Sequence, residues 1–303
     1  MVVERCFLEM YTCGVRNQRF DDRVCSGVFT PLLIVGSPRS GTTLLQRLLL
    51  ADERFAGGQE SHFFPTVGSL LREFDRKRSF PRPHGLACYW TRPEAIDHLQ
   101  QLWLSAFGPV LFARDRATRL VEKTPDHALW LDVAAEVVPN AQVLHVVRDS
   151  RAVVASLIRA GNSDWGRAWA PKSIDAAVDV WRRHVEAAFA SPLPTLLVRT
   201  EDLVDDPILA LHSIQEFANV GGERLHFDEA TLSLRQQSMR TFVTGGELAE
   251  LPDEPAGFAR SAMESQSGWR NELGWWSERR IWAQTRDLME VLGYARTGRV
   301  RSA

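Results

Sequence analysis

Residues 31–50 read PLLIVGSPRSGTTLLQRLLL, in the order of a strand, a glycine-flanked loop and a helix. The apolar run 32–35 has the length of a buried strand. Gly36 and Gly41 stand five residues apart and bracket Ser37, Pro38, Arg39 and Ser40. Backbone amides in such a loop, with those opening the helix behind it, converge on a concavity that suits an anion, phosphate above all. Thr42 and Thr43 add hydroxyl donors. The loop departs from that of a nucleotide triphosphatase. Thr42 stands where those enzymes have lysine, the cation is Arg39 inside the turn, and no strand ends in a magnesium-holding acid. It is equipped for a phosphate and poorly equipped for metal-assisted ATP chemistry.

Outward from this unit, short runs at 119–122, 143–147 and 196–199 read as further buried strands, with a short one at 55–59. Helical patterns follow the turns at 41–50, 126–138, 150–160 and 207–218. This alternation predicts an α/β fold, a P-loop-type three-layer arrangement with a central, mostly parallel sheet and helices on both faces. Ligands then sit at the carboxyl ends of the strands. Residues 174–190 and 277–292 read as amphipathic and C-terminal helices, 72–83 as a charged, solvated stretch, and 241–257 as a loop or mobile lid. The expected organisation is an N-terminal extension over 1–30, one domain over 31–294 and a basic tail over 295–303.

Composition narrows the function classes. The 303 residues are 45% hydrophobic and 24% charged with a formal net charge of -2, which argues against nucleic acid as a partner. No apolar run approaches the roughly 20 residues of a membrane helix, and charges interrupt the N-terminal segment where a signal peptide is apolar. The expectation is a soluble, cytoplasmic protein. Cys6, Cys13, Cys25 and Cys88 show no ligand spacing, so neither zinc, nor any other metal, nor a disulfide framework is expected.

The wording GSPRSGTT resembles the 5′-phosphosulfate loop of sulfotransferases, which use 3′-phosphoadenosine 5′-phosphosulfate (PAPS). The run 145–156, HVVRDSRAVVAS, resembles that family's 3′-phosphate site, where Arg148 ends a strand and Ser156 follows on the next helix. Glu60 and His62, in the segment QESHFF, match the E-x-H-F-F of glycosaminoglycan sulfotransferases, and Glu60 also matches the catalytic glutamate of the tyrosylprotein enzymes. Glu122-Lys123-Thr124-Pro125 resembles the segment that supplies an active-site lysine. Residues 198–203, VRTEDL, resemble an R-Y-E-D-L signature with Thr200 in place of tyrosine. Gly268, Trp269 and Arg270 resemble the loop that closes over the nucleotide. The resemblance spans about 31–273.

The resemblance implies PAPS as co-substrate and in-line, metal-independent transfer of a sulfuryl group to an acceptor hydroxyl or amine. Arg39 and Lys123 would neutralise developing charge, while Ser40, Gly41, Thr42 and Thr43 hold the 5′-phosphate. Arg148, Ser156 and Arg270 would take the 3′-phosphate, with Gly268 and Trp269 covering the nucleotide. Glu60 is the favoured general base and His62 its competitor. The alternatives are a small-molecule kinase on the same fold and a nucleotide-binding module without catalysis. The acceptor, whether carbohydrate, lipid, peptide or small metabolite, is left open, as is the oligomeric state. Segments 65–89, 161–171 and 241–257 are where acceptor specificity is expected. Of the ten tryptophans, Trp165, Trp169, Trp181, Trp275 and Trp276 read as core or interface, with Trp165 and Trp169 also candidates to border the acceptor.

Overall fold

The computed structural model describes residues 30–114, 116–221, 240–244, 247–250 and 268–296. The expected N-terminal extension up to residue 29, with Cys6, Cys13 and Cys25, lies outside the described residues. So do Ser267 and the end of the basic tail.

Five parallel strands form the central sheet in the order β2-β3-β1-β4-β5. They are β1 Leu32–Gly36, β2 Phe55–Gly57, β3 Arg119–Lys123, β4 Gln142–Val147 and β5 Thr195–Arg199. β1 is central and fully buried, which is why it reads as a continuous apolar run and not as an alternation. Its side chains still obey the period of two. Leu33 and Val35 face the layer made by helices α2 (Phe63–Arg78), α3 (Arg92–Phe112) and α4 (Leu131–Val137). Leu32 and Ile34 face α1 (Thr42–Leu50), α7 (Thr200–Asp205) and α8 (Pro207–Phe217). Each such side chain contributes about 1.5–3 kcal/mol relative to exposure. A third cluster joins α5 (Ser150–Gly161), α6 (Ile174–Phe189) and α9 (Trp275–Val291) beyond the end of β4. The expected α/β, three-layer arrangement is present, with all five strands parallel.

Several expectations change in detail. The helix expected over 126–138 is a 3-10 turn, Pro125–Trp130, followed by α4. The stretch 72–83 is not wholly a solvated surface: its first half continues α2 and buries Phe74. Part of 241–257, expected as a loop or lid, is an antiparallel hairpin of β6 (Arg240–Thr244) and β7 (Glu247–Glu250), and its remainder lies outside the described residues. Trp181 belongs to the core, whereas Trp165, Trp169, Trp275 and Trp276 are exposed. Among the described residues no helix is long and apolar enough to cross a membrane.

Candidate active site

The phosphate loop is held by close approaches that only glycine permits. Gly36 has φ 151, and a Cβ there would lie 2.2 Å from the carbonyl oxygen of Val146 on β4. Gly41, at φ 88, opens α1, and a Cβ there would meet the Thr200 side chain at 2.8 Å. Thr200 explains itself at this point. Its hydroxyl contacts the carbonyl oxygens of Ser40 and, at 3.1 Å, Val147, fastening the loop to the end of β4. Inside the loop, Ser37 and Ser40 are buried, and Ser40 Oγ has no hydrogen-bond partner among the described residues. An orphan hydroxyl beside the opening amides of α1 fits an oxyanion ligand.

Arg39 adopts φ 74, a left-handed backbone uncommon for arginine. Its Nε donates to Ser156 Oγ at 3.1 Å, and its carbonyl accepts from Arg148 Nη1 at 3.4 Å. Its guanidinium lies 5.4 Å from the Trp165 ring centroid. The residues proposed for two separate phosphates are thus neighbours joined through Arg39. Arg148 is only 6% exposed. Burial lowers its pKa against the opposing pull of Glu201, Tyr294 and Asp149. Glu201 is half-buried, and its desolvation raises its pKa although Tyr294 Oη donates to it at 2.7 Å and the Asp149 amide at 3.1 Å. Burial and this carboxyl together push the Tyr294 phenol well above its ordinary value.

On the other side of the loop, β3 pairs with β1 so that Lys123 lies opposite Ile34. The buried Lys123 Nζ contacts Glu60 Oε1 at 2.5 Å, and Glu60 Oε2 lies 3.7 Å from His62 Nε2. Glu60 and His62, the two candidate bases, lie close together. β2 ends at Gly57, and His62 has turned into the left-handed region at φ 49. Thr42 is buried and Thr43 half-buried in the first turn of α1.

The segment expected to close over the nucleotide packs on the start of α5. Trp269 is buried against Ala152 and Ala155 of α5. Its ring stacks at 4.5 Å on the guanidinium of Arg151, and Arg270 lies 5.0 Å from the same ring. Gly268 precedes it with open space around its Cα. Arg151, fully buried, is held by both oxygens of Asp149 at 2.9 and 2.6 Å, by Glu278, and by the carbonyls of Ala295 and Arg296. Three further residues stand here: Glu122 and Thr124, which the sequence marked only as neighbours of Lys123, and His127, which it did not mark. All three are buried behind the segment that carries Glu60. Burial pulls the Glu122 pKa up, but His127 and the hydroxyls of Ser61 and Thr124 outweigh it and hold the carboxyl below the usual value. Their signal in the sequence was a Glu and a Thr alternating at the end of an apolar strand.

The sulfotransferase family profile matches residues 31–223, more than half of the chain. The chain belongs to the sulfotransferase family. A relative from Mycobacterium bovis, omega-hydroxy-beta-dihydromenaquinone-9 sulfotransferase Stf3, is 27% identical over 258 residues, 67% of this chain and 66% of that protein. Protein-tyrosine sulfotransferase 1 of Danio rerio is 27% identical over 195 residues, 63% of this chain and 53% of that protein. The chain therefore spans less than two thirds of either relative. Among solved structures, the sulfotransferase domain of the Synechococcus PCC 7002 olefin synthase superposes with a TM-score of 0.57 at 22% identity. That match covers 88% of this chain and 95% of the domain, and it supports the sulfotransferase fold.

Proposed function

We propose that this sulfotransferase-family protein moves a sulfuryl group from PAPS to an acceptor hydroxyl. The observation that carries the reading is Arg39, which joins a lysine-free phosphate loop to the buried Arg148 and the half-buried Ser156. Two anion sites linked in this way suit a nucleotide with phosphates at both the 5′ and 3′ positions. PAPS would supply the activated sulfuryl group. Ser40, Gly41, Thr42 and Thr43 offer amides and hydroxyls to the 5′-phosphate, and Arg148, Ser156 and Arg270 take the 3′-phosphate. Lys123 and Arg39 neutralise charge that grows on the leaving oxygen. Lys123 holds Glu60 Oε1 at 2.5 Å; when it turns to the anionic donor, Glu60 is open to accept the acceptor's proton. His62, 3.7 Å from the second oxygen of Glu60, steadies that carboxylate. No step calls for a metal. The names of the two relatives specify an ω-hydroxy-dihydromenaquinone and a protein tyrosine, which favours a hydroxyl acceptor over an amine.

The test is calorimetry with adenosine 3′,5′-bisphosphate (PAP) against ADP and ATP, for the wild type and Arg148→Ala. PAP should bind at least ~30-fold more tightly than ADP, and Arg148→Ala should abolish that margin, because truncating a buried charge partner costs about 2–5 kcal/mol. Equal affinity for ADP, or an unchanged variant, sinks the reading. Transfer of labelled sulfate from PAPS to a tyrosine peptide and to farnesol then addresses the acceptor, and magnesium-dependent ATP turnover would revive a kinase.

A further inference from the structure

Helix α2 begins without a cap of its own. His62 occupies the N-cap position at φ 49 and ψ 30 and makes no capping bond with its side chain. The first amides of a helix have no partner within it, yet every amide from Ser61 to Phe64 is engaged. Ser61 N–H and His62 N–H donate to Thr124 Oγ1 at 3.1 and 3.4 Å. Phe63 N–H donates to Ser61 Oγ at 3.1 Å, and Phe64 N–H donates to His127 Nε2 at 3.3 Å.

These partners converge on one buried carboxylate. The hydroxyls of Ser61 and Thr124 donate to Glu122 Oε1 at 2.7 and 2.8 Å, and His127 Nδ1 lies 2.7 Å from Glu122 Oε2. His127 Nε2 accepts from the Phe64 amide while its Nδ1 stands beside the carboxylate, so the ring bridges the helix start and Glu122. Thr124 and His127 are fully buried. The segment they hold, Glu60 to His62, is exposed and belongs to neither β2 nor α2. Its position therefore depends on this relay.

We propose that Glu122 and Thr124 are positioning residues for the transfer reaction, anchoring Glu60 and His62 at a fixed distance from Lys123. The proposal rests on the reading of Lys123 and Glu60 as the transfer centre. Its physical basis is that one rigid strand end supplies both parts of the geometry. Successive residues of β3 point to opposite faces: Lys123 contacts Glu60 directly, while Glu122 and, one residue on, Thr124 grip the backbone beside it. A base held this way keeps its place as Lys123 turns toward the donor. A base on an untethered loop loses the alignment on which in-line transfer depends. The carboxylate also lies at the positive end of the α2 dipole, which favours its charged form.

Thr124→Val is nearly isosteric and deletes only the hydroxyl, while Thr124→Ser retains it. Two readouts apply: amide hydrogen exchange at Ser61 and His62, and labelled-sulfate transfer to the tyrosine peptide and farnesol at saturating PAPS. Thr124→Val should raise exchange at both amides about tenfold. It should lower kcat by ~10- to 100-fold while the KM for PAPS and the Kd for PAP stay within about twofold. Thr124→Ser should remain within about threefold of the wild type on every measure. Unchanged exchange in Thr124→Val, a serine variant no better than valine, or PAP affinity falling in step with kcat would each overturn the proposal. A wild-type protein that binds PAP but transfers to neither probe removes the transfer reading and the catalytic part of this one. The exchange data still decide whether the relay anchors the segment.

Discussion

His145 lies on β4 opposite Val35 of the phosphate-loop strand, three residues before Arg148. It is 1% exposed, its Nε2 has no hydrogen-bond partner among the described residues, and its ring meets the edge of Phe189 at 5.5 Å. Burial, helped by the nearby charge of His184, depresses its pKa from 6.5 to about 4. The unfolded chain takes up the proton near 6.5, and the folded one resists until near 4. The stability lent by the neutral ring is therefore complete above pH 6.5 and is lost as pH falls through the folded value. Within that window the slope approaches about 1.4 kcal/mol per pH unit, so by about pH 5 the loss is ~2 kcal/mol. His145→Leu removes the titrating group and keeps an apolar side chain against Phe189. Urea unfolding of both proteins at about pH 7.5 and about pH 5 should show the wild type losing ~2 kcal/mol more than the variant. Stability curves that run parallel to within ~0.5 kcal/mol would mean the ring is not held neutral, and the reasoning fails.

Three further outcomes are expected. Lys123→Met should lower kcat for sulfuryl transfer by ~100-fold or more at saturating PAPS, because it removes a buried cation from the charge that develops on the leaving oxygen; steady-state kinetics with labelled PAPS read it. Gly68→Ala should destabilise the protein by about 1–3 kcal/mol despite alanine's better helix propensity. A Cβ there would sit 2.3 Å from the Trp130 ring, and a thermal melt showing an unchanged or higher Tm would contradict that contact. Arg151→Met should cost about 3–5 kcal/mol in urea unfolding, because it strands Asp149, whose carboxylate holds the arginine at 2.6 Å.

How much was legible follows where each element keeps its instructions. β1, the phosphate loop and α1 carry theirs locally, in an apolar run, two constrained glycines and a following helix pattern, and these were readable from 31–50 alone. α2 was not read, because its N-cap position is a histidine that makes no capping bond: Thr124 takes the amides just before the helix and His127 that of Phe64, some sixty residues downstream. α3 did carry a local signal, the Thr91–Glu94 capping box with a proline in the first turn, which the charged run before it obscured. The hairpin β6–β7 was announced by two glycines at 245 and 246 between strand residues, against a background of acid and proline that read as loop. At the site, the types Glu60, Lys123, Arg148 and Ser156 were legible. The bond from Arg39 to Ser156 was not, because it needs α5 and the loop brought together across 117 positions.

Arg151 gives the assembly a temporal order. Its partners include Glu278 and the carbonyls of Ala295 and Arg296, 127 to 145 positions away. The phosphate loop and its strand need partners only as far along the chain as Thr200, whose hydroxyl fastens the loop to the end of β4. The end of β4 and the start of α5, which carry Arg148 and Ser156, keep a buried guanidinium without its full set of partners until α9 arrives. During synthesis the partners of the phosphate loop are complete at Thr200, before those of Arg151, at Glu278, Ala295 and Arg296, have emerged. Contacts of such long separation close late, and nucleotide discrimination should be the last property that the folding chain gains.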